Sequence, residues 1–169
     1  MRPSAGKAAL RHHVGMEQFV IRPAKLQDLS KVAAMCHRLW PEASAAEHTR
    51  DLAPLLAEGS SGSLPATVLI AEKPNGGAIG FVEVGLRSHA DGCDPSRAVG
   101  FIEGWYVAPE YRRKRIGTRL IAAAEQWARD QGCIEMASDT WLDAADSQSA
   151  HQALGYEVVD RCVHYRKRL

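Results

Sequence analysis

Residues 101–118 read Phe101-Ile102-Glu103-Gly104-Trp105-Tyr106-Val107-Ala108-Pro109-Glu110-Tyr111-Arg112-Arg113-Lys114-Arg115-Ile116-Gly117-Thr118. From Val99 to Val107 the chain has a strand's composition, and Ala108-Pro109 ends it. From Ile116 onward Leu120, Ile121, Ala124, Trp127 and Ala128 share one helical face, and Gly132 is placed to end the helix near residue 129. The order is therefore strand, tight loop, helix. The first N–H groups of a helix have no intrahelical acceptor, and the helix dipole adds partial positive charge there, so such a turn stabilises a pyrophosphate. Arg112, Arg113, Lys114 and Arg115 reinforce that charge. A bare basic run would more simply be a solvated face or a nucleic-acid contact. The strand before it and the amphipathic helix after it favour the anion cradle.

The flanking sequence supplies the other layers. Residues 19–21 form a short strand closed by Arg22-Pro23. Leu29, Val32, Ala33, Cys36, Leu39 and Trp40 then recur at helical spacing until Pro41. A second helix is expected over 47–58, weakened by Pro54, with a loop over 59–65. Residues 67–72 and 78–86 read as strands joined through Pro74-Asn75-Gly76-Gly77, an antiparallel hairpin. Past the helix, 134–138 reads as a strand, 147–154 as a short helix and 156–166 as a last strand. The order predicts an α/β (α+β) domain: a single mixed, mostly antiparallel sheet flanked by helices.

Length and composition bound the rest. A chain of 169 residues suits one domain, read here as residues 16–169 behind an N-terminal extension, residues 1–15, that lacks the apolar core and cleavage site of a secretory signal. With 21 basic against 20 acidic residues, the charge supports neither a nucleic-acid binder nor a polyanionic tail. Cys36, Cys93, Cys133 and Cys162 form no CxxC pair, so they indicate reduced thiols in a cytoplasmic protein and no metal site. No apolar run approaches the roughly 20 residues of a membrane helix.

The segment 101–118 resembles the acetyl-coenzyme A loop of GNAT N-acetyltransferases, Q/R-x-x-G-x-G/A, with Arg112 opening it and Gly117 closing it. Arg115 stands where the family usually has its first glycine. Phe101-Ile102-Glu103-Gly104, Met136-Ala137-Ser138-Asp139, His151-Gln152-Ala153-Leu154-Gly155-Tyr156 and Leu39-Trp40-Pro41 are similar to signatures of aminoglycoside 6'-N-acetyltransferases, in the same order. The resemblance implies the GNAT fold, acetyl-coenzyme A as cosubstrate, no metal and commonly a homodimer. It places the coenzyme against Trp105, Tyr106, Val107, Arg112, Arg113, Lys114, Arg115, Ile116, Gly117 and Thr118. It places an aminoglycoside against Trp40, Glu103, Asp139 and Asp160. Ala144 replaces a coenzyme-contacting asparagine of those enzymes.

Chemistry supports that carry-over, because an aminoglycoside is a polycation and several carboxylates attract it. An alkyl amine with a pKa near 10 arrives protonated. Glu103 is expected to take the proton, directly or through water, while backbone N–H groups near Tyr106 and Val107 polarise the thioester carbonyl. His151 occupies the position where many GNAT enzymes have a tyrosine that protonates the departing thiolate, and is the candidate general acid. Two alternatives remain: acetylation of another amine, such as a polyamine, a metabolite or a protein N-terminus, and a non-catalytic binding module on the same fold.

Overall fold

A computed structural model describes residues 18–168; the extension expected over residues 1–15 lies outside them. Strand β1 (Val20–Pro23) leads through a 3-10 turn (Leu26–Asp28) into helices α1 (Leu29–Leu39) and α2 (Ala45–Glu58). Then follow β2 (Ser60–Ser61), β3 (Leu64–Glu72), β4 (Ala78–Arg87) and β5 (Val99–Val107). Helix α3 (Ile116–Asp130), strand β6 (Met136–Ser138) and helix α4 (Ala145–Ala153) complete the order. The sheet runs β1-β3-β4-β5-β6, antiparallel except for the parallel β5–β6 pair, with β2 folded onto the start of β3.

Each sheet face has its own core. Val68, Ile70, Phe81 and Tyr106 pack under α1 and α2 with Val32, Cys36, Leu52 and Leu55. Leu69, Val82, Val84 and Ile102 pack under α3 with Ile116, Leu120, Ile121 and Ala124. Alternation along β3 and β4 sends successive side chains to opposite layers, which is why these strands are apolar on both faces.

The helix expected over 47–58 forms, and two other local expectations need correction. Helix α2 passes through Pro54 unbroken because both its ends are fixed: Ser44 and Glu47 form a reciprocal capping box, and Gly59 closes the helix at φ 69°. The stretch expected as loop over 59–65 contains β2, whose Ser60 and Ser61 pair with Pro65 and Leu64. No strand forms among the described residues of 156–166. Its alternating Val159, Val163 and Tyr165 have the pattern of a strand, but the segment pairs with no strand of the sheet, and all three are exposed. A Cβ at Gly92, in the loop before β5, would meet the side chain of Val159.

One buried charge ties the N-terminal elements together. Asp28, 1% exposed, accepts two bonds from the Arg22 guanidinium, at 2.7 and 3.0 Å, and one from the Lys25 N–H at 3.0 Å. Arg22 also holds Glu72 of β3 through two bonds of 2.7 Å. The start of α1 is thereby locked to β1 and β3, and α1 aims its C-terminal residue Leu39 and the following Trp40 at the middle of the sheet. Arg22→Ala strands a buried carboxylate, so thermal unfolding should show a loss of about 3–5 kcal/mol. The Arg22 guanidinium lowers Asp28 from 3.8 to about 2. Its contribution is therefore complete above pH 4 and lost as pH falls towards 2. In Arg22→Ala that acid limb of the stability profile should disappear.

Candidate active site

The site is organised by an irregularity in β5. Glu83 of β4 pairs with Gly104, but the next residue, Val84, pairs with Ile102, so Glu103 is an extra residue in its strand. Ile102 and Trp105 both belong to the α3 layer. Glu103 and Gly104 between them consequently turn together towards α1 and α2. The space above Gly104 belongs to Trp40: a Cβ there would collide with Trp40 Cη2. The Trp40 ring stands edge-on to Phe81 at 6.5 Å, and its carbonyl accepts from His48 Nε2 at 3.1 Å.

The shortness of β6 matters equally. It pairs with β5 only from Gly100 to Ile102, and beyond that point the outer edge of β5 has no strand beside it among the described residues. Ala108 N–H donates inward to Ile79 O at 2.9 Å. Alternation along the strand then points the N–H groups of Trp105 and Val107 outward, to the open edge. The Val107 carbonyl, on the same side, accepts from Arg112 Nε at 3.0 Å.

Two cavities meet β5, one at Glu103 and the other from Trp105 to Val107. The first, about 550 Å³, is walled by Trp40, Glu42, His48, Asp51, Glu83 and Glu103, with no lysine or arginine in its lining. Glu103 is held by Arg87 through two bonds of 3.0 and 2.6 Å. Glu83, largely buried, makes no hydrogen bond or ion pair within the described residues. Burial raises it from 4.5 to about 7, with the neighbouring Glu103 charge acting in the same direction and His48 opposing. Sequence reasoning missed Glu83. The available signal was a lone carboxylate in the apolar strand Ala78–Arg87, at a position that alternation sends into the α1/α2 layer.

The second cavity, about 580 Å³, lies at the start of α3 and is lined by Trp105, Tyr106, Val107, Arg112, Arg113, Arg115, Ile116, Gly117 and Thr118, with Ala144, Asp146 and Ser147 opposite. Arg115 does not loosen the loop. It and Arg113 adopt the left-handed conformation at φ 61°, and Arg115 is the N-cap of α3. Gly117 is required by contact, since a Cβ there would lie 2.7 Å from Trp105 Cζ2. Trp105 Nε1 beside it is buried without a hydrogen-bond partner among the described residues. A basic, donor-rich cradle with an unsatisfied buried N–H fits a phosphorylated, amide-containing ligand such as coenzyme A. Lys114 is not on this wall and lies over the Tyr111 ring.

The remaining expected residues are distributed unevenly. Asp139 follows Ser138, which pairs with Ile102 at the end of β6; it is exposed and lines neither cavity. His151 lines neither cavity. It donates through Nδ1 to the Ser147 carbonyl at 2.7 Å, which leaves Nε2 to accept from the Ser138 hydroxyl at 3.0 Å, and its ring meets Trp105 and Tyr156 edge-on. Asp160 is exposed in the segment after α4, where its carboxylate accepts from the Arg161 N–H at 2.6 Å. Among the described residues no three His, Cys, Asp or Glu side chains are grouped to hold a metal.

Comparison with known proteins identifies the family of this chain. The sequence model of the acetyltransferase (GNAT) family matches residues 32–156. Aminoglycoside N(6')-acetyltransferase type 1 of Klebsiella aerogenes is 42% identical over 150 residues, covering 89% of this chain and 97% of that protein. The enzyme of the same name from Stenotrophomonas maltophilia is 38% identical over 151 residues, covering 88% and 93%. Among solved structures, AAC(6')-Iy in complex with the bisubstrate analogue CoA-S-monomethyl-acetylneamine superposes with a TM-score of 0.80 at 35% identity, covering 90% of this chain and 99% of that one.

Two stability measurements test this description. Because Glu83 is raised, its contribution is complete below pH 4.5 and lost as pH rises through about 7. Glu83→Gln removes the cost of burying the charge, so the variant should exceed the wild type by up to about 3 kcal/mol at pH 8 and converge with it near pH 4.5. A left-handed residue with a Cβ costs roughly 1 kcal/mol. Arg115→Gly should therefore be more stable than Arg115→Ala by about that amount, as read by urea denaturation.

Proposed function

The chain belongs to the acetyltransferase (GNAT) family, and from that premise we propose that it transfers the acetyl group of acetyl-coenzyme A to the 6'-amine of an aminoglycoside. One observation carries this reading beyond the relatives' names: a carboxylate-lined cavity and a basic cradle meet one strand on either side of Gly104, where its edge is open. A polyanionic donor and a polycationic acceptor thus reach a common point.

The coenzyme supplies an acetyl thioester. Arg112, Arg113 and Arg115, with the N–H groups of Ile116, Gly117 and Thr118, would hold its pyrophosphate, and Lys114 adds charge nearby. Trp105, Tyr106 and Val107 would line its reactive arm, with the outward N–H groups of Trp105 and Val107 available to a developing oxyanion. On the acceptor side, Trp40 offers a ring face and Glu103 a carboxylate to ammonium groups, and Asp139 would add a second carboxylate, as the resemblance implies. Asp160 was expected beside them; its support is the resemblance alone. His151 braces Ser138 and Trp105, and reaches the open edge only through Ser138. A departing thiol with a pKa near 8.5 leaves readily without a strong acid.

The same reading includes a homodimer and the cytoplasm. The exposed apolar side chains Val158, Val159, Val163 and Tyr165 suit coverage by a second copy. All four cysteines are unpaired, as reducing conditions require, and no described helix is long and apolar enough to cross a membrane.

Thiol release from acetyl-coenzyme A tests the reaction. Neamine, which carries a 6'-amine, should turn over, whereas paromamine, its 6'-hydroxyl counterpart, should be at least a hundredfold slower. Turnover of spermidine or a lysine peptide in place of neamine would keep the acetyl transfer and remove the aminoglycoside.

A further inference from the structure

We propose that Glu83 is the catalytic base that takes the proton from the amine being acetylated, with Glu103 as the charged partner that orients that amine. This rests on the acetyl-transfer reading above. A base needs a lone pair that is open to the substrate. Both oxygens of Glu103 are engaged by Arg87, at 3.0 and 2.6 Å, which suits a fixed negative charge better than a proton acceptor. Glu83 has no such partner among the described residues and lines the same cavity. It lies opposite Gly104, directly preceding Trp105, whose backbone N–H faces the open edge. The absence of a side chain at Gly104 leaves only the Trp40 ring over that part of β5. One strand spacing, about 4.8 Å, separates Glu83 from β5, and Glu83 and Glu103 line the same cavity, so an amine held there by Glu103 lies within reach of the Glu83 carboxylate, directly or across one water.

The titratable and charged groups around Glu83 favour this division of labour. Glu103 faces it from β5, His48 and Asp51 from α2, Cys36 from α1 and Glu42 from the α1–α2 connection, while Arg87 on its own strand is committed to Glu103. Burial and the Glu103 charge raise Glu83 to about 7, which makes it an effective acceptor near neutral pH. Two neighbouring carboxylates with unequal surroundings are a general means of obtaining one fixed charge and one base.

The step balances as follows. An N–H bond of the ammonium breaks and its proton passes to Glu83. The freed nitrogen pair forms the C–N bond as the C–S bond breaks. The second nitrogen proton passes to the sulfur, giving the free thiol. Glu83 then releases its proton to solvent.

The experiment uses the full chain with neamine and acetyl-coenzyme A. Wild-type kcat/KM should fall about tenfold per pH unit below 7. Glu83→Gln should lower kcat at pH 8 at least a hundredfold, change KM for neamine less than tenfold and lose that limb. Glu83→Asp should retain the limb and part of the rate. Glu103→Gln should move the limb to lower pH by removing the like charge. Calorimetry of neamine binding without acetyl-coenzyme A, in two buffers of different ionisation enthalpy at pH 7, gives a readout independent of turnover. Wild type should release up to about half a proton more than Glu83→Gln, because a bound cation favours ionised Glu83. A Glu83→Gln kcat within threefold of wild type with the limb intact, or an effect on KM alone, would overturn the role of Glu83 while leaving acetyl transfer standing. A wild-type enzyme inactive on neamine would instead overturn the reading beneath it.

Discussion

A single added residue in β5 is the constraint on which the site depends. Regular alternation would give Glu103 and Gly104 to opposite faces of the sheet. The bulge puts both on the side of α1 and α2, bringing the Glu103 carboxylate to the wall of one cavity and seating the Trp40 ring on Gly104. Ile102 and Trp105 stay in the opposite core, so the layers on either side are undisturbed. Because β6 ends opposite Ile102, the distortion and the start of the open edge coincide.

From that point the strand divides two fields of opposite sign. Glu42, Asp51, Glu83 and Glu103 face one cavity; Arg112, Arg113 and Arg115 face the other, with Trp105, Tyr106 and Val107 contributing to its wall. Apolar walls focus such fields, so each cavity concentrates ligands of its own complementary charge. A near-zero net charge for the whole chain conceals this separation, since 21 positive and 20 negative residues nearly cancel.

Much of this was legible in the sequence, for identifiable reasons. The cradle could be read because its determinants are contiguous: a strand, a proline stop, four cations and an amphipathic helix. The paired cores of β3 and β4 followed from apolar runs bounded by turn residues. Glu83 escaped notice because its importance depends on the register of β4 against β5 and on the buried layer above it, neither of which one strand's sequence contains. The last strand expected over 156–166 failed for a related reason. Its alternation describes what the segment could do beside a partner, and within the described residues no strand edge is paired with it. His151 stands where the family pattern suggested, yet the carbonyl of Ser147 and the hydroxyl of Ser138 occupy its two ring nitrogens.

The contact between Gly104 and Trp40 also bears on how this chain can change under selection. The two residues are 64 positions apart in sequence but occupy one volume, and any side chain at 104 enters the space of the indole ring. Shrinking Trp40 would leave a void, while enlarging Gly104 alone would force the ring out of place. Each single change is therefore unfavourable, and only the pair can move without loss. Lineages altering the acceptor cavity would more easily vary its walls at Glu42 and Asp51, and Gly104 and Trp40 would be inherited as a unit.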